Sequence, residues 1–77
     1  MSKELPALRP REVIRMLERA GFVKWRQEGS HLTLYRASDR RALTDPIHFS
    51  KSVPKGTLRA ILSQAGLAVE EFLSYRD

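Results

Sequence analysis

Seventy-seven residues with no cysteine make one small domain that has neither a disulfide framework nor a thiolate metal site to staple it. No apolar run approaches the ~20 residues that cross a bilayer, and the N-terminus shows no signal-peptide core, so the chain is expected in the cytoplasm with no membrane partner. The formal charge of +5 is uneven: residues 1–63 hold thirteen Lys or Arg against six Asp or Glu, and residues 64–77 hold Arg76 against three acids. A basic body of this kind suits a polyanion, because Lys and Arg contacts to phosphates release counterions and steer association.

Residues 1–8, punctuated by Pro6, read as a mobile lead-in to a single domain whose ordered core runs from about residue 8 to 75. Pro10 suits a first helical position, Arg9 the cap and Glu12 the third position, with Leu8 set to staple onto Val13. Val13, Ile14, Leu17 and Ala20 recur at helical spacing and Gly21 stops the helix.

From Phe22 the period becomes two. Val23 and Trp25 are expected on one face of a half-buried strand, with Trp25 in the core, and Lys24, Arg26 and Glu28 on the other. Gly29-Ser30 turns the chain into a second strand in which Leu32 and Leu34 face the core and His31, Thr33 and Tyr35 share the opposite, accessible face. Ser38 to Arg41 makes a second turn. The third strand, Ala42 to His48, places Asp45 at the same parity as Leu43 and Ile47; an inward charge and Pro46 both mark an edge strand. A second helix begins near Pro54, buries Leu58, Ile61, Leu62 and Ala65, and stops at Gly66; Val69, Phe72 and Leu73 mark a short third helix. Strands joined by short turns imply an antiparallel meander with both main helices on one face, an α+β domain of two layers.

Three features carry chemistry. His31, beside a tight turn on the accessible face, can take and give a proton near neutral pH. Lys51, Lys55 and Arg59 flank the start of the second helix, whose first-turn amides favour anions. Trp25 and Tyr35 are aromatic rings able to stack on bases, Tyr35 being the better placed because it shares the face of His31. A metal site built from His31, His48 and Asp45 is the poorer reading, with few ligands and no recognisable spacing.

Gly21-Phe22, Gly29-Ser30-His31, Pro46-x-His48, Lys55-Gly56-Thr57-Leu58-Arg59-x-Ile61-Leu62 and Ala65-Gly66, in this order and spacing, resemble the HicA (YcfA-like) family of mRNA interferase toxins over about residues 10–73. The resemblance implies a double-stranded-RNA-binding-like fold with helix-strand-strand-strand-helix order. It implies the toxin of a type II toxin–antitoxin system, an endoribonuclease that cleaves mRNA and is held inactive by a HicB-type antitoxin. His31 would be its catalytic histidine, Gly29 and Ser30 would complete the motif, and His48 would belong to a Pro-x-His pattern with a supporting or RNA-contacting role. Neither a metal nor a cofactor is expected. Asp45 stands where the family usually has an apolar or β-branched residue, and the turn at Ser38 to Arg41 lacks a glycine often seen there. The rival reading is an RNA-binding module of the same fold without catalysis.

Overall fold

In the computed structural model, which describes residues 5–46 and 51–76, the chain runs α1 (Pro10–Arg19), β1 (Val23–Glu28), β2 (His31–Arg36), β3 (Arg41–Pro46), α2 (Lys55–Ala65) and α3 (Val69–Leu73). The three strands form one antiparallel sheet in the order β1-β2-β3, so the helix-strand-strand-strand-helix expectation holds and both outer strands are edges. Ile47 and His48 lie outside the described residues.

The helices start and stop where local chemistry sets them. Arg9 N–H donates to the Glu12 carboxylate at 3.2 Å, so Glu12 satisfies an end donor and places a negative charge in the first turn of α1. Gly66, at φ +70°, closes α2: its own N–H reaches Ser63 O, and Leu67 N–H reaches Leu62 O at 3.0 Å. Val13, Met16 and Leu17 from α1 meet Leu32, Leu34 and Leu43 from the sheet and Leu58, Ile61, Leu62 and Ala65 from α2 in one core, all essentially buried. One face of the sheet is therefore covered by helices, and the other is open.

Two expectations are corrected. Residues 5–8 are part of the fold: Leu5 and Leu8 are buried, and Val53 N–H donates to Leu8 O at 2.7 Å, which ties this segment to the approach to α2. Burying two leucines outweighs the ordering cost that a short Pro-punctuated segment suggests. Trp25 is not in the core: it is 69% exposed, and Val23 is 58% exposed. Val23 pairs with Tyr35 and so lies on the open face, while Phe22, one residue earlier, fills the core. The pairing then slips between Lys24↔Leu34 and Arg26↔Thr33, leaving Trp25 as the extra residue of a β-bulge. Directly paired residues share a face, so the slip sends Lys24 and Gln27 to the helical side and Arg26 and Glu28 to the open side with His31 and Thr33.

A single arginine ties the ends of three elements together. Arg36 donates to Ala20 O (2.9 Å) just past α1 and to Ala65 O (3.4 Å) at the end of α2, where a cation also complements the helix dipoles. Its Nε and Nη2 donate to Asp39 at 3.0 and 2.6 Å, and its guanidinium lies 4.6 Å over the Phe22 ring. The hydrogen-bonded Asp39 carboxylate holds the Arg36 guanidinium above its ordinary pKa, and the guanidinium holds Asp39 below the usual carboxylate range. Asp39 also accepts from Arg41 N–H (3.4 Å), bracing the four-residue loop 37–40, whose last residue, Arg40, takes a left-handed conformation at φ +57°. That is the turn without a glycine.

Candidate active site

The β1–β2 connection is a two-residue hairpin turn, closed by the pair Glu28↔His31. Its first residue, Gly29, has φ +58°, and a Cβ built there meets nothing within 4 Å. Glycine is required by the conformation and not by crowding, as at the first position of a type II′ turn, whose twist matches that of the flanking strands. The Gln27 amide donates to Gly29 O at 3.2 Å and holds the turn from the side. Ser30 is exposed and completes the turn.

This turn fixes the direction of His31. Leu32 and Leu34 are buried, and the strand period of two puts His31, Thr33 and Tyr35 on the open face, with His31 exposed. Arg26, Glu28, His31 and Thr33 line one shallow depression of about 360 Å³. Arg26 Nε lies 2.9 Å from Glu28 Oε1, and both side chains are about 70% exposed, so water screens the pair and leaves its net strength small. An incoming phosphate can therefore share the Arg26 guanidinium at little cost. The depression combines a proton-exchanging imidazole with one cation on a surface open to a polymer.

The strand alternation placed His31, Thr33 and Tyr35 together on the accessible side, and Gly29-Ser30 form the expected turn, but Arg26 and Glu28 were missed as neighbours of His31. Glu28 was within reach, because a two-residue turn makes its flanking residues cross-strand partners. Tyr35 is half-buried, with its ring centroid 6.0 Å from that of Trp25. Lys51, Lys55 and Arg59 are exposed in the helical layer and do not line the depression. The last turn of α2 sits over the start of β3, where Thr44 N–H donates to Gln64 Oε1 at 3.3 Å and Arg41 Nη1 to Gln64 O at 3.5 Å. His48 lies outside the described residues. Among the described residues no group of three or more His, Asp or Glu side chains is arranged to hold a metal ion, and no helix is long and apolar enough to cross a membrane.

The family model described as the HicA toxin of bacterial toxin–antitoxin systems matches residues 10–67, from the first residue of α1 through the closing turn of α2. The chain belongs to the HicA toxin family. No individual curated protein matches it. The HicA match spans every element that builds the depression and both main helices, and it makes the protein the toxin side of a toxin–antitoxin pairing.

Proposed function

We propose that this HicA-family toxin is a metal-independent endoribonuclease acting on mRNA, with His31 as its catalytic residue and a HicB-type antitoxin as its inhibitor. The observation that carries the reading is the placement of His31: exposed, on the face opposite the helices, at a turn whose glycine sets the direction of the strand behind it. RNA supplies its own nucleophile. The 2′-oxygen attacks the adjacent phosphorus, the bond to the 5′-oxygen breaks, and the products are a 2′,3′-cyclic phosphate and a free 5′-hydroxyl. His31 takes the proton from the 2′-hydroxyl, or gives one to the leaving oxygen, or does both in sequence, a role worth about 10²–10⁴-fold in rate. Arg26 supports the charge that builds on the phosphorane oxygens, and Lys51, Lys55, Arg59 and His48 contact the RNA. The antitoxin covers the depression.

The test is cleavage of a long unstructured RNA in EDTA by the wild type and by His31→Ala at equal concentration, with binding followed in parallel. Cutting by the wild type alone, with binding retained in both, supports the reading. A single 2′-deoxy substitution at the cut nucleotide removes the nucleophile and is expected to stop cleavage there. Binding without cutting by either protein turns the conclusion to the non-catalytic RNA-binding module.

A further inference from the structure

We infer that Trp25 and Tyr35 form a base-stacking subsite for single-stranded RNA on the sheet face that carries His31, an inference that rests on the RNA-cleaving reading above. Among the described residues Trp25 is the most exposed large apolar side chain, at 69%, and it occupies the unpaired position of the bulge in β1. Its ring and that of Tyr35 are tilted by 50° with centroids 6.0 Å apart, so neither covers the face of the other. Tyr35 and His31 share the open face of β2 four residues apart, a separation of ~13 Å along the strand. A sheet with helices on one side and exposed aromatics on the other is the arrangement by which RNA-recognition sheets stack bases. Stacking accepts any base, because every base has a π-face.

Charge selects RNA as the occupant. On the other side of β1, Lys24 joins Arg11 and Arg15 in a groove of about 420 Å³ in which Glu18 is the one carboxylate among the described residues, over a floor of Ile14 and Leu32. A strand lying along β1 thus meets aromatic rings on one side and a cationic wall on the other, within a chain of net charge +5. Addition of a second copy along the β1 edge is opposed by the bulge and by the charges of Lys24 and Arg26 on either side of it.

Trp25 is the chain's single tryptophan, so its fluorescence reports this subsite alone. The full-length His31→Ala protein is titrated in EDTA with an unstructured RNA decamer and, separately, with heparin, a polyanion without bases. RNA is expected to quench the emission and heparin to bind without quenching. Trp25→Leu and Tyr35→Leu are each expected to weaken RNA binding about tenfold and leave heparin affinity unchanged, while Trp25→Phe keeps most of the RNA affinity. RNA binding with unaltered emission, or wild-type RNA affinity in Trp25→Leu, overturns the subsite; loss of antitoxin binding in that variant with RNA affinity intact assigns the patch to the antitoxin instead. In the His31-intact background, cleavage by Trp25→Leu with unchanged KM refutes the subsite and leaves the nuclease standing. Quenching by RNA without any cleavage by the wild type does the reverse.

Discussion

Asp45 stands directly across the ladder from Leu32, and its side chain is as fully buried as the leucines around it. Neither carboxylate oxygen has a hydrogen-bond partner among the described residues, and burial pushes its pKa up to about 6. An unfolded Asp ionises near 3.8, so between about pH 4 and 6 the folded chain holds a proton that the unfolded chain has released. Stability contributed by that proton is complete below pH 4 and is lost as pH rises through 6, a change with a ceiling of roughly 3 kcal/mol. Asp45→Val, which restores the residue type usual at this position in the family, is expected to raise stability at pH 7 by about 1–3 kcal/mol. The part of the difference that comes from ionisation should disappear towards pH 4, leaving only the smaller cost of a buried, unbonded neutral carboxyl. Urea titrations at pH 4, 5, 6 and 7 check this; a constant difference across the series rejects the burial account.

The loop between β2 and β3 makes a second prediction, on backbone strain. Arg40 holds φ +57°, where a side chain costs about 1–2 kcal/mol, so Arg40→Gly should stabilise the fold by about 0.5–1 kcal/mol after the added freedom of the unfolded glycine is subtracted. Gly66 gives the opposite case. It has φ +70°, and a Cβ there would lie 2.6 Å from Arg41 Cζ and Nε. Gly66→Ala therefore strains the cap and displaces the guanidinium that reaches Gln64 O, and is expected to lower stability by about 1–2 kcal/mol. In a domain of this size each kcal/mol moves Tm by about 4–8 °C, so thermal melts separate the two variants in sign.

The sequence was most legible where a local rule decides. Leu32 and Leu34 alternate cleanly, so the face of His31 followed from parity alone; Gly66 and Pro10 marked helix ends; and Asp45 was placed inward by the same parity, as the structure shows. Val23 and Trp25 were assigned to the wrong face because alternation alone does not say which face of β1 meets the core, and it is Phe22 that fills it; the slip opposite Leu34 and Thr33, which turns Arg26 and Glu28 to the open side, leaves no mark in β1 itself. The burial of Leu5 and the reach of Arg36 to Ala20 and Ala65 were hidden for the same reason: they depend on packing between segments far apart in the chain.

Gly29 separates conformation from space at the site. With nothing within 4 Å of a Cβ, Gly29→Ala introduces no clash and only the cost of a left-handed backbone, about 1 kcal/mol. Gly29→Asn, a residue that tolerates this region, should lose less stability and retain more RNA cleavage than Gly29→Ala. Melting curves and initial cleavage rates on the same three proteins check the order. Equal losses in both variants would show that some feature other than the turn's backbone sets the position of His31.

Lys55 and Arg59 are exposed on the first turns of α2 and do not line the depression that holds His31. If they bind phosphates, their loss removes counterion release without touching the proton chemistry. The double variant Lys55→Gln, Arg59→Gln is then expected to bind unrelated RNA sequences more weakly by a similar factor and to reduce the slope of log affinity against log salt by about 1 for each phosphate no longer neutralised. At saturating RNA its cleavage rate should approach that of the wild type, whereas His31→Ala should remain inactive at any RNA concentration. Affinities measured from low to physiological salt, beside single-turnover rates, distinguish the two roles. An unchanged salt slope would remove both residues from the RNA path, and a fall in the saturated rate would move them into the chemistry of the cut.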